Sequence, residues 1–220
     1  MTFDTDNEYS HLVFPCEILR AACRYFYGDI DGLNRPPMKD DLKDRIYIRA
    51  VRGQGEEQGF FREMLSLNSI PYIWIYEKDE LTNNRRTSAD IYWTTLHELA
   101  HASHWGNDFD TFMDPMMTDK VKDSYANGIA WYLTEDVHPG YKYKTDNLQY
   151  TGLVQDIIDS DGTKVNNDNI SEYVSGYSIK EVENAVYGAW TLIMWQNNLL
   201  RLYPNNPTEG YVPSLFELWM

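Results

Sequence analysis

Cysteine is scarce in this chain: its 220 residues include only Cys16 and Cys23. The two stand seven apart in FPCEILRAACRYFYG, a stretch that reads as helix, so they lie about 10 Å apart along its axis. A disulfide needs Cα atoms within about 7 Å, which excludes a bond between them. The expected role of both is that of small buried apolar residues. Basic residues are also few. The 19 Lys and Arg stand against 34 Asp and Glu, a net charge of −15. Phosphate contacts need clustered cations, so nucleic acid is not an expected partner, and anionic membrane surfaces are disfavoured for the same reason. No apolar run reaches the roughly 18 residues of a membrane-spanning helix. MTFDTDNEYS lacks the apolar centre of a signal peptide. There is no internal repeat and no low-complexity linker.

What the chain does have is hydrophobic content, at 43%, and aromatic side chains, with 17 Tyr and 7 Trp. This length and composition suit one domain with a sizeable core. A first helix is expected over 10–27, and RPPMKDDLK (35–43) breaks the pattern with two prolines. Two alternating runs rich in β-branched and aromatic residues, 45–51 and 71–78, read as strands. A helix then starts near Ser88 and runs through DIYWTTLHELAHASHW; it is apolar on several sides, which marks an interior helix. GNDFDTFMDPMMTD reads as a loop, 121–136 as a helix, and the stretch 137–177 as mainly irregular, with one helix at 147–158. Ser178 and Glu181 form a capping box, with Tyr177 and Val182 as its staple, opening a helix over 179–202 that Pro204 and Pro207 end. PSLFELWM is expected to be a short terminal helix. The fold class is α+β.

Three of the five histidines fall in TTLHELAHASHW, and His97 and His101 are four apart around Glu98. On a helix, residues i and i+4 share a face, so both imidazoles can reach one metal ion. Glu98 is turned about 100° away from that axis and can reach a water in the metal's open position, where zinc lowers the water's pKa and the carboxylate takes its proton. That is the physical content of the order His-Glu-x-x-His. The alternative is a pair of ordinary histidines on a buried helix, with Glu98 in a salt bridge.

The stretch His97-Glu98-Leu99-Ala100-His101 resembles the defining motif of the zincin metallopeptidases. The metzincin extension fails, because His104 stands where the glycine belongs and Asn107 where the last histidine belongs. Together, LHELAHASHW, DSYANGIAWYLT and the LYPNNPTEG…LFELW ending are similar to a group of zinc-dependent HExxH peptidases of Bacteroidetes-type bacteria, often envelope lipoproteins. The resemblance implies a zincin-like fold, a Zn2+ cofactor, a peptide or protein substrate, and export to the periplasm or cell surface with the signal outside these residues; a cytoplasmic location is the alternative. Thermolysin-like zincins take their third ligand from a following helix, in a Glu-x-x-x-Asp pattern about twenty residues on. Asp123 stands 22 residues after His101, in Asp123-Ser-Tyr-Ala-Asn127, with Asp in place of Glu and Asn in place of Asp. It is the preferred ligand; Glu135 is the rival. Asn127 would orient one of the histidines.

On the helical wheel Asp123, Asn127, Ala130 and Thr134 share a face of small residues, and Tyr125, Ile129 and Tyr132 face the core. Gly128 points to close packing there. His104 lies too far along the axis to join His97 and His101 on one ion and reads as a packing residue. DSDG (159–162) lacks the twelfth-position Glu of a calcium loop and reads as a turn. The tyrosines of 141–150 and the aromatics of 186–195 either line a groove or pack the core, and core packing is preferred. Tyr132, His138, Tyr173 and Tyr177 are candidate oxyanion stabilisers. The expected organisation is one domain over 1–220, with the strands and the HExxH helix in 1–106 and a mainly helical part carrying the third ligand in 107–220. The expected function is zinc-dependent peptide hydrolysis, with Glu98 as general base and His97, His101 and Asp123 as ligands. The alternatives are a non-catalytic envelope binding protein with structural zinc, and zinc hydrolysis of a non-peptide amide or ester.

Overall fold

The computed structural model describes residues 10–36, 46–55, 59–62, 71–141, 153–158 and 176–204. Their elements follow in the order α1 (Ser10–Tyr27), β1 (Tyr47–Gln54), β2 (Gly59–Arg62), β3 (Tyr72–Lys78), α2 (Ser88–Asn107), α3 (Phe109–Phe112), α4 (Asp119–Glu135), α5 (Leu153–Ile158), α6 (Ile179–Val186) and α7 (Leu192–Leu202). This is a mixed α+β arrangement. The sheet has the order β1-β3-β2, with β1 parallel and β2 antiparallel to β3. The central strand alternates: Ile73, Ile75 and Glu77 are buried, while Tyr72, Trp74 and Tyr76 stand on the half-exposed face.

Helix α2 is the interior element. Thr87 and Asp90 close a reciprocal capping box at its start, so orphan amides there are satisfied before the helix enters the core. Ile91 through Leu96, then Glu98, Leu99, Ala100, Ala102, Ser103 and His104, are buried. Residues with no exposure on so many sides require neighbours all round, and α1, α4, β2 and β3 supply them. Burying a single Leu side chain such as Leu96 or Leu99 contributes about 1.5–3 kcal/mol, so this helix is held by packing more than by propensity. Among the described residues no helix is long and apolar enough to cross a membrane.

Several local expectations change. The four-residue β2 is a third strand; it is too short to show alternation and is held by backbone pairing of Gly59–Arg62 with Tyr72–Ile75. The loop expected after α2 contains the short helix α3. The long helix expected over 179–202 is two helices. Gly188 takes φ 75° at the break, and Thr191 caps the start of α7 through its side chain. The Ser178–Glu181 capping box does open α6, with Tyr177 and Val182 both buried beside it. Cys16 and Cys23 are unbonded as expected, but both are exposed, not buried. Phe14, Glu17, Ile18, Ala21 and Tyr25 form the buried stripe of α1, and the cysteines point off it. Gly128 does mark a close approach, but the partner is α5: a Cβ at Gly128 would come within 2.5 Å of Val154 side-chain atoms. Tyr125 and Ile129 are fully buried, whereas Tyr132 is half-buried with its hydroxyl donating to Asp31. Only 153–158 of the expected 147–158 helix, the DSDG turn at none of its positions, and none of the terminal PSLFELWM fall within the described residues.

Candidate metal centre

The spacing of α2 puts His97 and His101 on one face, and their rings meet edge to face with centroids 4.6 Å apart. The Nε2 atoms of the two rings are 3.1 Å apart. Helix α4 packs along α2 and brings Asp123 to the same point, with Oδ1 3.3 Å from His101 Nε2. Two ligands bound tetrahedrally at 2.0–2.1 Å are separated by about 3.3–3.4 Å, so these spacings fit one ion between the three groups. Ligand atoms of His97, His101 and Asp123 all lie within 4.8 Å of one another, the one such group of His, Cys, Asp or Glu side chains among the described residues. Two imidazole nitrogens and a carboxylate oxygen suit a divalent transition-metal ion.

The electrostatics fit the same reading. Burial, reinforced by the neighbouring His101, pulls the His97 pKa from 6.5 to about 3 and leaves that ring neutral, as a ligand needs. Burial acts on His101 in the same direction. There the hydrogen bond to Asp123 and the negative charges of Glu98 and Asp123 outweigh it, and the pKa is raised. Burial works against the charge of Asp123, but its hydrogen bond to His101 and the electrostatic pull of that ring hold it below the ordinary value. The shifts of His101 and Asp123 both favour the charged pair, positive ring against carboxylate.

Further side chains fix the ligands. Trp93, one turn before His97, stacks on its ring with centroids 5.1 Å apart and planes at 23°. Asn127, one turn after Asp123, is a side-chain hydrogen-bond partner of His97. Phe112 stands edge-on to His101 at 6.4 Å. The i−4 spacing of Trp93 was readable in the sequence; Phe112 lay in an expected loop and gave no signal.

Glu98 lies off this cluster. It is 5% exposed and faces β2, where its carboxylate abuts Gly59. Of the remaining candidates, Glu135 is exposed and accepts the Gly140 amide at the end of α4, away from the ligand group. Tyr132 is committed to Asp31, His138 packs edge-on to Tyr92, and Tyr177 is buried beside Tyr203. None of the three joins the cluster, and Tyr173 lies outside the described residues. His104 is fully buried among Phe112, Tyr125 and Tyr187, consistent with packing.

No family model, no curated protein and no solved structure matches this chain.

Proposed function

We propose that this protein is a zinc-dependent peptidase with a zincin-like fold, in which His97, His101 and Asp123 hold the ion and Glu98 is the general base. The observation that carries the reading is a division of labour on one helix. Two histidines converge with a carboxylate from α4, while the carboxylate next in sequence to His97 stays out of that group and is buried beside it. A structural site gains nothing from a second, nearly buried carboxylate, whereas hydrolysis needs a proton acceptor close to the ion but not bound to it. When bound by these residues, zinc would supply an acidified water and polarise the scissile carbonyl. Glu98 would take a proton from that water and hand it to the departing amine. Asp123 is 38% exposed, so the ion is reachable from solvent on that side, as a catalytic site requires.

The choice of a peptide as substrate is supported by β2. It pairs with β3 on one side and lies beside Glu98, so an extended peptide laid along its other side would bring a main-chain carbonyl near the base. Export to an envelope location belongs to the same proposal through the family resemblance.

The test begins with the metal content of the purified chain. Wild type and Glu98→Gln are then compared on a mixed peptide library. Equal zinc in both, with cleavage lost by at least about a hundredfold in the variant, is the expected result. Zinc without cleavage by either protein overturns the peptidase reading and favours a binding protein on this scaffold.

A further inference from the structure

We infer that Gly59 is a positioning residue for Glu98, the missing side chain that lets the β2 backbone press against the carboxylate and fix its direction. The inference rests on the proposed role of Glu98. A Cβ built at Gly59 would lie 2.8 Å from Glu98 Oε1 and 3.0 Å from its Cγ, and 2.5 Å from Thr94 Cγ2. Real Cβ atoms essentially never approach heavy atoms that closely, so any other residue at 59 would force the Thr94 and Glu98 side chains, or the strand, to give way. Gly59 does not have the left-handed backbone of Gly32, Gly140, Gly176 or Gly188, so conformation does not explain the choice. Close approach does.

The contact is specific in where it falls. Thr94 and Glu98 are i and i+4 on α2, 2% and 5% exposed, and form the ridge on which this end of β2 rests. Thr94 is itself fixed, since its hydroxyl accepts a hydrogen bond from the buried guanidinium of Arg86, which also donates to the Asp90 carbonyl. Gly59 is held from the other side by its antiparallel register with Ile75, a residue with no exposure at the centre of the sheet. The strand is therefore a wall of fixed position. A Glu side chain loses rotamer freedom where neighbouring atoms confine it, and a β2 backbone this close confines Cγ and Oε1 on one side. The ligands His97, His101 and Asp123 do not take part in this contact, so the base can be disturbed without disturbing the ion.

The test uses Gly59→Ala and the double variant Gly59→Ala/Thr94→Ser. Serine removes the Cγ2 clash while keeping the hydroxyl for Arg86, and it carries the test if alanine alone does not fold. Zinc stoichiometry and affinity should stay within about threefold of wild type, with KM similarly unchanged. On a quenched-fluorescence peptide that wild type cleaves, kcat should fall about ten- to a hundredfold, part of the 10²–10⁴ that a positioned base contributes. The visible spectrum of the cobalt(II)-loaded double variant should shift in the direction seen for Glu98→Gln. Adding Gly59→Ala to Glu98→Gln should cost no further turnover, because the glycine acts through the glutamate. Equal kcat in Thr94→Ser and the double variant, with an unchanged cobalt spectrum, would overturn the inference. So would an additive loss in the Glu98→Gln background. If Glu98→Gln itself keeps turnover, the base assignment fails, and the cobalt spectrum alone decides the role of Gly59.

Discussion

His101 and His104 are less than one turn apart on α2, and the same facing helix decides their opposite fates. Opposite His101, α4 places the carboxylate of Asp123, and the ring is drawn toward its charged form. Opposite His104, α4 places Tyr125, two residues on and therefore on its other flank. Phe112 and Tyr187 complete an aromatic enclosure. Burial there, with the charges of His101 and Lys122, pulls the His104 pKa to about 3, and neither ring nitrogen has a hydrogen-bond partner among the described residues. The Tyr125 hydroxyl turns away from His104 and donates to Glu183, a fully buried carboxylate that also takes Lys180 Nζ at 2.7 Å and the Asn34 amide at 2.9 Å. The first region is polar and half-open, and its three side chains converge closely enough to hold an ion. The second is sealed, with its donors gathered on Glu183 and the His104 ring left to aromatic contacts. A histidine on a motif-bearing helix is therefore defined by what the neighbouring helix presents to it.

The largest test of the contrast is at its polar end. Asp123→Ala and His101→Ala each remove one of three ligands, and zinc affinity measured by chelator competition should fall more than the 10–100-fold lost with outer partners. Unchanged affinity in Asp123→Ala removes α4 from the site. The sealed end is broken through Tyr125→Phe, which strips one donor from a buried carboxylate that keeps Lys180 and Asn34. The expected cost is about 1–3 kcal/mol in denaturant unfolding, with zinc binding unaltered. The mildest change is His104→Leu. It replaces a ring with unpartnered nitrogens by an apolar side chain of similar volume, so stability at pH 8 should move by less than about 1.5 kcal/mol.

The same variant sharpens the comparison through pH. The folded pKa of His104 lies below that of the unfolded chain, so its neutral form favours the native state fully above 6.5, and this contribution is lost as pH falls toward about 3. The metal-free wild type should lose about 1.4 kcal/mol per pH unit from this residue inside that window. His104→Leu should show the shallower slope. Parallel profiles for the two proteins would mean that His104 is not held neutral.

Much of this was legible where local chemistry decides. The period of TTLHELAHASHW and the Ser178–Glu181 box fix where helices begin, and both helices start where expected. The approach of Asp123 followed from the twenty-two-residue spacing, but only with a family pattern as guide. What escaped depends on partners distant in sequence. Nothing in GFFR announces a strand, because the pairing energy resides in β3. The break in 179–202 was written in Gly188 and Thr191, yet the apolar period running through them argued for continuity. The exposure of Cys16 and Cys23 was readable too: the stripe Phe14, Ile18, Ala21, Tyr25 already claims the inner face of α1.

The candidate ligand set spans two helices, so an ion bound there would have a second effect beyond the proposed chemistry. An ion held by His97 and His101 of α2 and by Asp123 of α4 would be a removable crosslink between the two helices that meet at the centre of the fold, closing the connection through α3. By mass action, free metal at a hundred times its dissociation constant adds about 2.7 kcal/mol to the folded state, a sizeable share of the 5–15 kcal/mol typical of a domain. If the proposed site is filled, the lifetime of the folded chain would be tied to the metal supply of its surroundings, and starvation for the ion would loosen the scaffold as well as empty the site.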